Sequence, residues 1–336
     1  MVLFLLSTTT ITALAQSDAA SLVREGVQLN DQRKYAEAIE KYKSALAIDP
    51  ANIQANYEMA FSLYSSGKGL DGVPFVQATI KGSTSPSLIA SSYELLGSIY
   101  DQANQAQNAI DAYQAGIKIN PNYQRLHYNL GITYFRNNRF ADAEQCAIDA
   151  VKLDPKHASS QRLYALVCFH QNKRMNALLG FCSFILLEPA TQRSTEAYNN
   201  IQHILQGGVL KDANGNNTIQ LSPKDNQENS TFNLSISMVA LSAQKSKLTG
   251  EDLLEYEFKH LFTIAGELQE KKTDKTFFDK FFVDYFYKLA QSSNIPAFTH
   301  TVTMTVDKDA AAQWGKAHLP ELNAMSDWLQ KTERGF

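Results

Sequence analysis

The stretch YELLGSIYDQANQAQNAIDAYQAGIKINP, residues 93–121, determines the fold of this 336-residue chain. It joins two amphipathic segments through a polar turn and ends at a proline. Prolines recur at intervals of 34 to 36 residues along the first half of the chain, at Pro50, Pro86, Pro121, Pro155 and Pro189. A period near 34 residues predicts repeated helix pairs, because repeats set the architecture of a chain before local propensities do.

Small residues recur at the same places in successive periods, where the two helices of a pair are expected to approach closely. They are Gly26, Gly97, Gly131, Ala38, Ala109, Ala143 and Ala177. A polar residue precedes Pro50, Pro121 and Pro155, which favours a turn at the end of each pair. The second half of the period at 53–89 contains several helix-breaking residues and predicts a poor helix. Those residues are Gly69, Gly72 and Pro74.

The spacing of residues 93–121 resembles the W-x2-L-G-x2-Y…A-x3-F…P pattern of the tetratricopeptide repeat (TPR). The matching residues are Tyr93, Leu96, Gly97, Tyr100, Ala109, Tyr113 and Pro121. The resemblance covers about residues 19–191 and implies an all-α fold, a TPR α-solenoid of about five helix-turn-helix repeats. The implied repeats are 19–52, 53–89, 90–123, 124–157 and 158–191, followed by a capping helix at 192–206.

The rest of the chain predicts a linker at 207–230 and a mainly helical C-terminal domain at 231–336. In the linker, Asn214-Gly215 is a turn signal between two short apolar runs and predicts a β-hairpin. The spacing of Asp212, Asn214 and Asn216 departs from a calcium loop and favours a plain turn. Residues 298–305 alternate like a strand, but their helical surroundings favour a helix. The aromatic helix at 277–287 predicts a domain core or, alternatively, a self-association face.

The composition and the N-terminal sequence limit the classes of function that this chain can have. The net charge is −3, with 31 basic and 34 acidic residues, so no basic stripe points to nucleic acid. Residues 1–15 combine an apolar run with Ala13-Leu-Ala15, which predicts a cleavable signal peptide and a periplasmic or secreted protein. The apolar run is too short to span a membrane.

Cys146, Cys168 and Cys182 allow one disulfide and one free thiol. The favoured interpretation is that all three cysteines are small buried hydrophobic residues.

The resemblance also implies a binding face, because the first helix of each TPR lines a groove. The groove residues implied are Tyr57, Phe61, Tyr64, Glu94, Asp101, Arg125, Tyr128, Phe135, Arg136, Arg162 and His170. Aromatic rings there suit a protein or peptide ligand, and the three arginines suit its carboxylates. Val27 stands where the chaperone-binding members have a clamp asparagine, so a carboxylate clamp and a cytosolic chaperone partner are not expected.

Catalytic signatures are missing from the sequence: it has no HExxH, GxSxG, P-loop or GxGxxG motif, and its histidines lack metal-ligand spacing. The sequence therefore predicts a non-enzymatic scaffold without cofactor or metal that binds a protein or peptide outside the cytoplasm. Assembly or regulation of an envelope complex is the expected role. Two alternatives stay open. One is an enzyme with its site in the C-terminal domain, where His260 or His300 would meet a carboxylate; the other is a self-associating structural protein.

Overall fold

The computed structural model describes the backbone of residues 4–206, 208–211, 217–219, 222–223 and 225–336. It describes the side chains of residues 18–206, 208–209, 219, 222–223 and 225–336. The chain divides into two compact units, one ending at Arg139 and the other beginning at Phe140. Both units are mainly helical, as the all-α prediction requires.

In the first unit, the described residues form seven helices in succession. They are α1 (Phe4–Asp31), α2 (Tyr35–Ile48), α3 (Ile53–Ser65), α4 (Gly69–Gly82), α5 (Pro86–Gln102), α6 (Ala106–Ile119) and α7 (Gln124–Arg136). The strongest packing is within the pairs α1–α2, α3–α4 and α5–α6, and each pair also packs on the next helix. The prediction of stacked helix pairs is confirmed.

The turn within each helix pair has one recurring geometry. A residue with positive φ ends the first helix, and the next backbone N–H donates to a carbonyl five residues earlier over 2.8–2.9 Å. The positive-φ residues at these turns are Arg33, Gly67, Asn104, Asn138 and Asn172. This is the Schellman arrangement, and asparagine and glycine tolerate its left-handed conformation best. Asparagine at three of the five turns was a signal that the sequence analysis missed.

Turns between pairs use the polar residue that precedes proline. The side chains of Asp49, Asn120 and Asp154 each accept a hydrogen bond from the backbone N–H two residues on, over 3.0–3.2 Å. This confirms the predicted turns. Pro86 differs, because it opens α5 at the first helical turn, where the missing N–H costs nothing.

Glycine lets the helices of a pair approach. A β-carbon on Gly26 would lie 2.4 Å from the ring of Tyr42, and one on Gly97 would lie 2.4 Å from the ring of Tyr113. Both tyrosines are buried, so each ring occupies the space that a side chain on the glycine would need.

The expectation of a poor helix after residue 68 is wrong. Helix α4 runs from Gly69 to Gly82 and includes Pro74. A β-carbon on Gly72 would lie 3.1 Å from the backbone oxygen of Ala60 on α3, so this glycine permits close packing between α3 and α4. Tertiary packing outweighs the weak helix propensity of the segment.

Helices also dominate the second unit. They are α8 (Phe140–Leu153), α9 (Ala158–His170), α10 (Arg174–Leu187), α11 (Gln192–Leu205), α12 (Gln227–Ser246), α13 (Gly250–Glu270), α14 (Asp284–Ala290), α15 (Ile295–Thr303), α16 (Lys308–Ala317) and α17 (Leu319–Lys331). A π-helical turn, Asp279–Val283, leads into α14. Residues 298–303 are helical, as the sequence analysis favoured.

Two short strands follow α11. β1 (Val209–Lys211) pairs antiparallel with β2 (Asn217–Ile219), in the register Val209–Ile219 and Lys211–Asn217. The expected Asn214-Gly215 turn and the Asp212–Asn216 loop lie outside the described residues. The expected capping helix corresponds to α11, which contacts both α10 and α12.

The core of the second unit is built around α10. Ten of its fourteen residues are buried, and the helix packs against α9, α11, α12, α15 and the π-helical turn. A helix that is apolar on all sides belongs in an interior. The aromatic segment joins this core: Tyr164 stacks on Phe282 with ring centroids 5.0 Å apart, and Phe281 and Phe286 are fully buried. The alternative of a self-association face at 277–287 is corrected, because most of its rings are inaccessible.

Arg334, near the C-terminus, closes the aromatic cluster. Its guanidinium lies 3.9 Å from the ring centroid of Tyr285 and donates a hydrogen bond of 2.5 Å to Ser183 Oγ on α10. Burial lowers the pKa of Arg334 to about 10, although Tyr285 opposes that shift. The cation thus lies over ring faces, where the negative quadrupole offsets part of its lost hydration.

The three cysteines are buried, as favoured from the sequence. Burial raises the pKa values of the Cys168 and Cys182 thiols, so both remain protonated and weakly reactive. Among the described residues, no helix combines the length and the apolarity that crossing a membrane demands.

Replacing Gly97 tests the close approach of α5 and α6. We expect Gly97→Ala to lower the free energy of unfolding by about 1–3 kcal/mol, since the added methyl overlaps the Tyr113 ring. Urea denaturation measures the change. Gly82→Ala is the matched control, because its methyl would make an ordinary 3.5 Å contact with Ile53. Equal stability of the two variants would contradict the role of Gly97.

Candidate functional site

The first helices of the pairs in the first unit share one side, here called the A-helix face and formed by α1, α3, α5 and α7. Each of these helices contacts the next one in the series. Residues that are one period apart therefore lie beside one another on this face. The predicted groove residues up to Arg136 all belong to its helices.

A cavity of about 470 Å³ lies on the A-helix face. Its walls are Tyr64, Ser98, Asp101, Gln102, Tyr113, Tyr128, Asn129, Ile132 and Arg136. Four of the predicted groove residues, Tyr64, Asp101, Tyr128 and Arg136, meet here. The volume is in the range of small-ligand sites, and one or two side chains of a peptide would fill it.

Tyr113 is a wall residue that the sequence analysis named only as part of the repeat pattern. It belongs to α6, but its ring passes Gly97, and its hydroxyl lies 3.2 Å from Ser98 Oγ. Burial is the main cause that raises the pKa of Tyr113, so the hydroxyl remains neutral. The signal for this placement was Gly97, because a residue with no side chain leaves room for a ring to cross the helix pair.

Glu94 is the centre of a hydrogen-bond network between α5 and α7. Arg125 Nη2 and Asn129 Nδ2 each donate to its Oε1 over 3.0 Å, and the Tyr123 hydroxyl donates to its Oε2 over 3.4 Å. The Glu94 side chain is 10% exposed, whereas that of Arg125 is 65% exposed. The carboxylate is therefore a buried acceptor whose partners lie toward the surface.

Asp101 forms a second network about two helical turns further along α5. Arg136 Nη1 donates to its carboxylate over 2.5 Å, and Thr133 Oγ1 donates over 3.1 Å. Arg125 and Arg136 were expected to bind a ligand's carboxylates, but each pairs with a carboxylate of the chain itself. The expectation that these two arginines offer free positive charge to a ligand is therefore corrected, because Glu94 and Asp101 already balance them.

Three other predicted aromatic residues, on α3 and α7, do not line this cavity. Tyr57 is half-buried, and burial, with Glu94 nearby, raises its pKa to about 12. Phe61 is 38% exposed, and Phe135 is half-buried near the end of α7. Together these rings extend the apolar part of the A-helix face on α3 and α7.

Arg162 and His170 belong to α9 in the second unit. Arg162 Nη2 pairs with Glu196 Oε2 on α11 over 2.8 Å, so this predicted carboxylate binder also has a partner within the chain. The His170 ring stacks on Phe140 with centroids 5.4 Å apart. Both contacts join neighbouring helices of the second unit.

One predicted histidine of the C-terminal half meets a carboxylate. His300 Nδ1 lies 2.8 Å from Glu251 Oε2, and Thr303 Oγ1 donates to Glu251 Oε1 over 2.6 Å. The Trp314 ring stacks on His300 with centroids 3.8 Å apart, and burial is the main cause that lowers the pKa of His300. These contacts join α13, α15 and α16. His260 instead lies against Tyr256 on its own helix. Within the described ranges, no three His, Cys, Asp or Glu side chains converge as a metal site.

Comparison with known proteins agrees with the repeat period. The family model described as "TPR repeat" matches residues 26–67, and the one described as "Tetratricopeptide repeat" matches residues 102–167. Tetratricopeptide repeat protein 6 of Homo sapiens is 28% identical over 132 residues, which are 39% of this chain. The match spans 25% of that relative's length.

Several solved structures are similar over about half of the chain. MamA is 23% identical with a TM-score of 0.45, and the match covers 48% of this chain and 94% of MamA. YrrB, described as a TPR protein with an unusual peptide-binding site, is 16% identical with a TM-score of 0.46 and coverages of 57% and 97%. PilF of Pseudomonas aeruginosa is 13% identical, with a TM-score of 0.48 and coverages of 57% and 90%.

Removing the Glu94 carboxylate tests the network. We expect Glu94→Ala to lower the free energy of unfolding by about 1–3 kcal/mol, because its donors lose their acceptor and a small void remains. Arg125→Ala removes an exposed partner of the same network and is expected to cost at most about 1 kcal/mol. Urea denaturation of both variants measures the difference. A larger loss for Arg125→Ala would contradict the assignment of Glu94 as the central group.

Proposed function

Because this chain is a tetratricopeptide repeat protein, we propose that its first unit is a scaffold module that binds a polypeptide on the A-helix face. The observation that carries this proposal is the cavity between Tyr64, Tyr113 and Tyr128, which combines ring surfaces with amide and hydroxyl groups. A concave site with an apolar body and a few fixed polar groups suits a side chain together with its backbone amides.

The charges of the site indicate the class of peptide. Arg136 is paired with Asp101 and Arg125 with Glu94, so the cavity carries no unbalanced cation to attract an acidic peptide. Gln102 lines the cavity, and its amide makes no hydrogen bond within the described part of the chain. A free amide offers both a donor and an acceptor, which matches a peptide backbone. We therefore infer a segment that inserts an apolar or aromatic side chain and pairs its backbone with Gln102.

Affinity measurements on a selected peptide test the binding site. A random peptide display library selected on the whole protein would supply the ligand, and fluorescence anisotropy would supply its dissociation constant. Tyr128→Ala is expected to weaken binding at least tenfold, about 1.4 kcal/mol, because it removes a ring from the cavity wall. Lys118→Ala, an exposed residue on α6, is the control and should leave affinity unchanged. Selected peptides that bind both variants equally would place the site elsewhere.

The expected location outside the cytoplasm is a second part of the proposal. Its support is the sequence pattern of residues 1–15, together with the position of the first packed residues. Ala19 and Val23 are buried and Gly26 packs against Tyr42 on α2, and all three follow the expected cleavage point. Cleavage after Ala15 would leave the first repeat complete. Outside the cytoplasm, a polypeptide-binding scaffold would serve the assembly or regulation of an envelope complex.

Processing in a bacterial host tests the location. We expect the mature chain to begin at Gln16 and to separate from cytoplasmic proteins, because signal peptidase cleaves after small residues spaced like Ala13 and Ala15. Mass spectrometry of the N-terminal peptide in each cell fraction measures this. The variant Ala15→Arg should block cleavage. Intact residues 1–15 on the wild-type protein in the cytoplasm would contradict the proposal.

A further inference from the structure

We propose that the second unit binds a primary aliphatic ammonium group in a cavity between α11, α12 and α13, with the Glu257 carboxylate as its counterion. This site is separate from the A-helix face and does not depend on the polypeptide-binding proposal. Its ligand class follows from the groups that line the cavity.

The cavity has a volume of about 400 Å³ and an apolar wall with one carboxylate. Leu205 on α11, Ala243 on α12 and Leu253 on α13 form much of the apolar wall. Glu257 is one turn after Leu253 on the same helix and also lines the cavity. A volume of this size accepts a small organic molecule.

Glu257 is buried, and none of the described residues is its partner. Its residue is 9% exposed, and it forms no hydrogen bond or ion pair with any described residue. Burial raises its pKa to about 7, and no cation among the described residues stabilises the ionised form. Glutamate is almost never buried unless it is paired, because the ionised group loses its hydration. A ligand that brings the missing positive charge would supply the pairing.

Three amides line the same cavity as the carboxylate and indicate the kind of cation. Gln202 and Gln206 on α11 and Gln244 on α12 line the same cavity, and none of their side chains forms a hydrogen bond among the described residues. Their carbonyl oxygens are acceptors, as is the carboxylate. A primary ammonium has three N–H donors and no acceptor, so it matches this set, whereas a quaternary ammonium has no donor. The apolar wall would hold the aliphatic chain of the ligand.

Among the residues that line the cavity, Glu257 is the charged one. Tyr198 on α11 is near enough for Glu257 to contribute to its raised pKa, after burial and Glu251. The groups of α12 and α13 that line the cavity, apart from Glu257, are uncharged. Tyr198 is neutral at physiological pH, so no other charge of these elements substitutes for the carboxylate.

Proton release should accompany binding. Below a pH of about 7 the empty cavity holds a protonated carboxyl group, which must ionise to pair with the ammonium. The affinity for the cation should therefore fall about tenfold for each pH unit below 7 and level off above pH 8. A neutral ligand of the same shape should show no such dependence.

Titration of the whole protein with n-butylammonium, followed by NMR chemical shifts at pH 8, tests the site. We expect saturable binding at millimolar to tens of millimolar concentration and at least about thirtyfold weaker binding by Glu257→Gln. Glu267→Gln, an exposed glutamate on the same helix, is the matched control and should bind like the wild type. 1-Butanol tests the need for charge, and tetramethylammonium tests the need for N–H donors.

Blocked lysine, Nα-acetyl-lysine methylamide, distinguishes the two sources of a primary ammonium. Binding by this probe as well as by n-butylammonium would assign the site to a lysine of a partner protein, and binding by n-butylammonium alone would assign it to a free amine. Either result supports the proposal if it depends on Glu257. If Glu257→Gln does not fold, the pH dependence of the wild-type affinity decides. Binding that is independent of pH, equal in both glutamine variants or absent for both amines would overturn the proposal.

Discussion

The approach of paired helices at glycine is the constraint on which the first unit depends. At Gly97 the missing side chain admits the ring of Tyr113, and this ring fills the space between α5 and α6. The same ring carries its hydroxyl through the pair to Ser98 on the A-helix face. One packing requirement therefore both fixes the helix pair and supplies a wall of the candidate cavity. Gly26 and Tyr42 show the same packing two pairs earlier, between α1 and α2, but Val27 stands where the later pair has Ser98.

Charge balance on the A-helix face follows from the same stacking. Because the first helices lie side by side at a fixed period, a carboxylate on α5 faces residues about 31 to 35 positions later on α7. Ser62 and Asn30 form the corresponding contact between α3 and α1, over 3.1 Å. The polar groups of the face thus hold neighbouring repeats in register. A ligand must be recognised by the groups left over, mainly aromatic rings and amides.

The repeat period made the structure of the first half of the chain predictable from sequence. The second half has no such period, so less of its structure could be predicted. The prolines and small residues predicted the helix pairs, and Asn104, Asn138 and Asn172 would also have located their turns. The pairing of Arg125 with Glu94 was not predictable, because a groove position and a partner position look alike in sequence. Helix α10 did carry a signal: the segment ALLGFCSFILL, residues 177–187, is apolar on every side and so belongs in an interior. That pattern implied that further helices cover the fifth repeat.

Glu257 differs from two other buried carboxylates of the chain in its hydrogen-bond partners. Asp279 is fully buried, and it accepts hydrogen bonds from Lys272 Nζ over 2.6 Å and from the backbone and hydroxyl of Thr276 over 2.9 and 2.8 Å. Glu94 has three donors. In both cases the fold provides partners for the charge that it buries, as the desolvation penalty requires. Glu257 has a comparable degree of burial but no partner in the described part of the chain, and it lines a cavity. A buried carboxylate with a structural role accepts hydrogen bonds from donors of the chain itself. A buried carboxylate that binds a ligand has oxygen atoms that can accept hydrogen bonds from that ligand.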